Sequence, residues 1–245
     1  MSTTEPTTKP AEAAAAPRFE WDFDVPDTLF WSGMELTVAR NFFSCFRPDE
    51  LKKMAFEDIE SSPMADRLEY LLAQVQRKFD ASQAEVAPEP LYAADFDTWR
   101  GLLLAIATCQ KFLDRPLDEE KTIAKALENI QGRARFSWLG MMASLALRNG
   151  NYAAAEAAAQ EVLPVWRTHE KLGPDSPQAL GMTRTVIEAK WKQGGAKREE
   201  AGKLLDETFV LVEGLADSKF AKYQDEEREM LLDLKKQLET ATGGG

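Results

Sequence analysis

"NGNYAAAEAA", residues 149–158, is the stretch on which the fold turns. Alanine catalyses nothing and recognises little, so a Gly-Asn-Tyr corner ahead of an alanine run reads as architecture. Gly150 suits the left-handed position that ends a helix, and the Asn151 side chain can cap the next one. Two helices cross at about 8 Å rather than about 10 Å only where the contact residues are small. Ala143 before the corner, and Ala155 and Val162 after it, are the contact residues this predicts. Tyr152 then closes the end of the gap beside the turn.

Working outward, apolar residues recur at helical spacing almost throughout, and helices come in pairs. Residues 97–113 and 118–130 are separated by "DRP", 134–148 and 152–171 by "NGN", and 176–193 and 198–215 by "GGAK". Connections this short predict antiparallel neighbours. Upstream, 27–47 reads as one helix stopped by Pro48. Another begins with Ser62 as N-cap and Pro63 in the first turn, with Leu68, Leu71, Leu72, Val75 and Phe79 on one face. At the far end, Phe220, Tyr223, Glu227, Met230, Leu231, Leu234 and Leu238 mark a helix over 218–239, with Ser218 as its N-cap. Apart from "FEWDFD" nothing alternates with period two, and the fold class is all-α.

These residues resemble a known family. The segment 141–180, "MMASLALRNGNYAAAEAAAQEVLPVWRTHEKLGPDSPQAL", is similar to a tetratricopeptide repeat of the longer, kinesin-light-chain-like type. Met142, Ala143, Leu145, Gly150, Tyr152, Ala155 and Glu156 match the family pattern, and Ala146 replaces its first tyrosine. Leu172, Gly173, Asp175 and Pro177 match the connector, with Ser176 in place of histidine. A second copy places Trp191 at the tyrosine position, Gly195 at the turn and Ala201 at the small contact. The resemblance covers about 134–215, is faint over 97–130 and is absent before 90. It implies a right-handed solenoid of helical hairpins whose first helices line a concave groove, and a job in protein–protein interaction as scaffold or adaptor. The expected organisation is a disordered leader (1–17), an extended segment with a helical module (18–90), TPR-like pairs (91–217), a capping helix (218–240) and a flexible tail (241–245).

Charge and composition narrow the function classes. Forty-one acids against 30 bases give a formal charge of −11, which repels a phosphate backbone, so nucleic acid is not an expected partner. Only scattered bases such as Arg133, Arg135 and Arg148 stand out. No apolar run approaches the roughly 20 residues that cross a bilayer. The N-terminal residues carry no secretory signal, and no asparagine starts a glycosylation sequon, so a cytoplasmic (or nuclear) address is expected. Cys45 and Cys109 make no disulfide framework. The single histidine, His169, forbids a histidine-based zinc triad and reads as a helix-end residue favoured by the dipole. No phosphate-binding glycine loop, H-E-x-x-H or C-x-x-C is present, and no catalytic residue, metal or cofactor is assigned. The acids of "DEERE" and "KREE" read as solvated helix faces. Trp99, Trp138, Trp166 and Trp191 fall on apolar faces as core residues, and Pro164 is expected to bend its helix.

Counting from the turn glycines, the concave side should display Ser137, Ser144, Arg148, Thr185 and Lys192 to a protein or peptide partner. The positions where chaperone-tail binders of this family carry Lys and Asn fall on Gly140 and Ser144, which argues against that role. In "RFEWDFDVPDTLFW", Phe19, Trp21 and Phe23 alternate with acids. Aromatics this dense need cover, either as a flap on the chain's own helices or as a docking segment in a partner groove. Two other classes compete with the scaffold. One is a helical enzyme or small-molecule binder with a pocket between the N-terminal module and the repeats. The other is a homo-oligomer built through the 218–239 helix.

Overall fold

A computed structural model describes residues 29–240. Its described residues are helical, with no strand among them. The N-terminal module comprises α1 (Leu36–Phe43), the single turn α2 (Pro48–Leu51) and the long α3 (Met64–Val86). A short α4 (Leu91–Ala94) leads into the first pair, α5 (Phe96–Phe112) and α6 (Pro116–Asn129). The second pair is α7 (Ala134–Arg148) and α8 (Tyr152–Arg167), the third α9 (Pro177–Gln193) and α10 (Gly195–Glu213), and α11 (Gln224–Thr240) follows. From α5 on, each helix packs against the next, and α7 also touches α9, and α9 touches α11.

The opening corner is built as its residues dictate. Gly150 has φ +73°, and the Asn151 amide reaches back to the Ala146 carbonyl at 2.8 Å, which satisfies a carbonyl orphaned at the end of α7. The Asn151 side chain then accepts the Ala154 amide at 3.3 Å and starts α8. Ala143, Ala155 and Val162 are all fully buried. Ala155 clusters with Ala146 of α7 and Ala189 of α9, with Tyr152 and Leu147 against them. The third pair starts the same way: Ser176 accepts the Ala179 amide at 3.3 Å, with Pro177 as the first helical residue.

Several boundaries differ from the sequence expectation; α10, for one, starts at Gly195 rather than 198. Residues 27–47 are not one helix. After a 3-10 turn over Leu29–Trp31, Gly33 takes φ +72°, and the buried Arg67 guanidinium donates to the carbonyls of Leu29, Phe30 and Ser32. The left-handed backbone at Gly33 interrupts a right-handed helix while Arg67 holds the turn in place, and α1 begins only at Leu36. Ser62 makes no capping bond, and Pro63 occupies the N-cap position of α3. At 218–223, the Ser218 hydroxyl accepts the Phe220 amide at 3.0 Å in a tight turn, followed by a 3-10 turn, and α11 starts at Gln224. The second helix of the middle pair ends at Arg167 rather than 171. Pro164 lies inside it, and the Thr168 hydroxyl takes the Pro164 carbonyl at 2.8 Å as the chain leaves the helix.

The N-terminal module and the pairs share one core. Phe30, Phe42, Phe43, Phe56 and Leu71 of the N-terminal module share one buried cluster with Trp99, Leu102, Ile123 and Trp138 of the pairs. Asn41 of α1 donates to the Thr108 hydroxyl of α5 at 2.9 Å inside it. At the other end, Leu231, Leu234 and Leu238 of α11 join Leu180, Ile187 and Leu205 in a second cluster. No helix among the described residues is long and apolar enough to cross a membrane.

Candidate interaction surfaces

Two surfaces concentrate polar chemistry. The first lies along α7 and α9, where the sequence pattern leads one to expect a partner groove. Ser137, Ser144 and Arg148 share one stripe of α7 by their spacing, while Thr185 and Lys192 sit two turns apart on α9. Ser137 and Lys192 are exposed. Ser144 is half-buried, and its hydroxyl donates to the Gly140 carbonyl at 3.1 Å. Thr185 must be corrected: it is only 7% exposed and its hydroxyl donates to the Gly181 carbonyl at 3.2 Å, so it offers a partner nothing. Gly140 is buried beneath Trp166, where an added Cβ would lie 3.2 Å from the indole. Packing explains that glycine.

Arg148 is partly exposed but already committed: it salt-bridges Glu119 of α6, whose side chain is 1% exposed. The next junction repeats the device. Glu156 of α8, buried, takes Gln193 at 2.8 Å, Lys190 at 3.7 Å and Lys197. Glu119 thus meets Arg148 of α7 and Glu156 meets Lys190 of α9, each a first helix of the next pair, although the base hydrogen-bonded to Glu156 is Lys197 of α10. Burial pushes the Glu156 carboxyl up, but the hydrogen bonds from Lys197 and Gln193 and the charges of Lys197 and Lys190 outweigh it and hold the group below its ordinary value. Glu227 of α11, which sits in the apolar stripe of its helix, is buried and paired with Arg184 of α9. There burial wins, and despite Arg184 the carboxyl stands above its ordinary value.

The second surface is an open groove of about 810 Å³ bounded by residues 44–54, by α3 from Gln74 to Val86, and by the entry to α5 at Leu91, Asp95 and Thr98. The sequence points to a pocket between the N-terminal module and the repeats but not to these residues, because the bases come from two distant segments, "FRPDELKK" and "QRK". Arg47, Lys53, Arg77 and Lys78 line it, opposed by Glu50, Glu85 and Asp95. Glu50 is salt-bridged to Lys78 and accepts the Arg47 amide at 2.7 Å. Burial raises this carboxyl, and the Lys78 and Arg47 contacts more than reverse that. Hydrogen bonding from Thr98 lowers Asp95.

Cys45 also lines this groove; its Sγ donates to the Asn41 carbonyl at 3.2 Å. Burial pushes its pKa, like that of Cys109, up to about 12, so both thiols stay protonated at neutral pH and are poor nucleophiles. His169 is half-buried, with Nδ1 accepting the Lys171 amide at 3.1 Å. Among the described residues no group of three or more His, Cys, Asp or Glu side chains is placed to hold a metal ion. Trp99 and Trp138 are buried as expected. Trp166 and Trp191 are half-buried, the latter beneath the Arg198 guanidinium at 5.3 Å. Phe19, Trp21 and Phe23 lie outside the described residues.

No family model matches the chain, and no curated protein or solved structure matches it either.

Proposed function

We propose that the protein is a non-enzymatic scaffold or adaptor for protein–protein interaction, built from tetratricopeptide-type helix pairs in a right-handed solenoid. The observation that carries this reading is the direct contact of α7 with α9 and of α9 with α11. First helices that lie side by side create a continuous surface from alternate elements, the arrangement by which helical repeats bind extended partners. The buried acid–base pair repeated at successive junctions supports a repeat origin for the pairs.

The groove beside α3 favours a second reading, a small-molecule binder. It sits between the N-terminal module and the first pair, and its volume falls within the ~300–1,000 Å³ usual for ligand sites. Against it stand the groove's openness and the lowered carboxyls of Glu50 and Asp95, whereas an acid–base active site draws on raised ones.

Charge reversal at Arg148 would confuse surface with core, because that arginine holds Glu119. The clean probe is the exposed pair, Ser137→Glu with Lys192→Glu. The immobilised full chain, presented to native extract, should lose its specific partners by about tenfold in the double variant at an unchanged melting temperature. Undiminished capture would remove the α7–α9 surface from the proposal.

A further inference from the structure

The chain carries an acidic, aromatic stretch that needs cover and, within its reach, a groove of mixed charge in which Lys53 and Arg77 have no carboxylate partner among the described residues. Residues 19–27, "FEWDFDVPD", contain four acids and no base. Extended, they place Phe19, Trp21 and Phe23 on one side and Glu20, Asp22 and Asp24 on the other. The groove is complementary: the Phe46 ring, Met54 and Val86 supply apolar wall, and the exposed Lys53 and Arg77 stand at its edge. Neither Lys53 nor Arg77 forms an ion pair with a carboxylate among the described residues. In a chain of net charge −11, such unspent bases mark a place for an acidic segment.

The tether fits. The described chain begins at Leu29, whose carbonyl accepts from Arg67 of α3 at 3.3 Å. On α3, Gln74, Lys78, Ala81 and Glu85 return at helical spacing to the stripe that carries Arg67, and all four line the groove. Lys78 lies three turns beyond Arg67, about 16 Å along the axis, and Glu85 about 27 Å. Going back from Leu29, an extended chain spans about 20 Å to Phe23 and about 33 Å to Phe19. An extended aromatic run would therefore reach the stretch of α3 that forms the groove wall, with little slack.

We propose that residues 19–25 dock in the groove between residues 44–54 and α3 of their own chain, aromatics against its wall and acids toward Lys53 and Arg77. The groove is thus a receptor for acidic, aromatic extended peptide, and the chain's own segment occupies it. This inference is independent of the α7–α9 surface.

Hydrogen exchange on the full-length protein tests it, with a synthetic peptide of residues 18–27 as the unstructured reference. The amides of Trp21 and Phe23 should exchange roughly tenfold or more slowly in the protein than in the peptide. Lys53→Glu with Arg77→Glu, both exposed, should bring the rates back toward the peptide's while leaving the melting temperature unchanged. Adding Asp22→Lys and Asp24→Lys to that variant should restore protection. Peptide-like rates in the wild-type chain overturn the proposal. So does protection indifferent to Lys53 and Arg77, or failure of the fourfold variant to regain it. Protection that fades on dilution as a dimer dissociates overturns it too, because the segment then docks on a second copy.

Discussion

Replacing Ala155 by leucine tests whether small residues set the spacing of α7, α8 and α9. Ala155 is 0% exposed and clusters with Ala146 on one neighbour and Ala189 on the other. Leucine adds three carbons at a point with helices on both sides. If the helices could separate freely, the extra burial would stabilise by about 0.8 kcal/mol per carbon. They cannot do so locally, because Ala143, Ala159 and Val162 along the same seam are also fully buried and would lose their contacts. Overpacking should win, for a net loss of about 1–3 kcal/mol. In a chain of this size that is about 3–10 °C in melting temperature. The control is Ala157→Leu, on the exposed side of the same helix, where only helix propensity changes, by a few tenths of a kcal/mol. Urea and thermal unfolding followed by far-UV circular dichroism measure both variants. Equal midpoints for the two would refute the close crossing, whatever their absolute values.

The buried pair Arg184–Glu227 should behave non-additively. Arg184→Met leaves a buried carboxylate without its partner and should cost about 3 kcal/mol at neutral pH, while adding Glu227→Gln should return most of that; additive losses in the double-mutant cycle would argue against the pairing. The two shifted glutamates should act oppositely with pH. Glu156 is lowered in the folded protein, so its contribution is present above its ordinary value of 4.5 and lost as pH falls through the folded value. Glu227 is raised, so stability is fullest below 4.5 and declines as pH rises through its folded value. Glu156→Gln should therefore flatten the acid limb of the stability curve, and Glu227→Gln should raise stability above that window; the reverse pattern in unfolding measured on both sides of the ordinary value of 4.5 would contradict the assigned environments. Gly150→Ala must hold φ near +73° with a side chain and should cost about 1–2 kcal/mol, whereas Asn151→Ala should cost about 1 kcal/mol through the lost cap; both are read from unfolding midpoints.

The amino-acid sequence by itself determined the features whose causes lie within a few residues. Gly150 and Asn151 end one helix and begin the next because a left-handed backbone and a side-chain cap are local devices. Ser176 and Pro177 start α9 for the same reason. The 3.6-residue apolar period made the all-helical class and the burial of Ala143, Ala155 and Val162 legible. Tertiary structure decided what depends on partners far along the chain. Arg67 anchors the turn before α1 through a carbonyl 35 residues upstream. Glu227, which interrupts an apolar stripe, is buried because Arg184 comes to meet it. Thr185 turns inward, and Arg148 serves Glu119 before any partner. The groove beside α3 exists only because α3 brings Arg77 and Lys78 alongside Arg47 and Lys53. Caps and periodicity act through neighbouring backbone atoms, whereas a charge pair or a groove needs two segments folded together, and spacing along one segment carries no trace of the other.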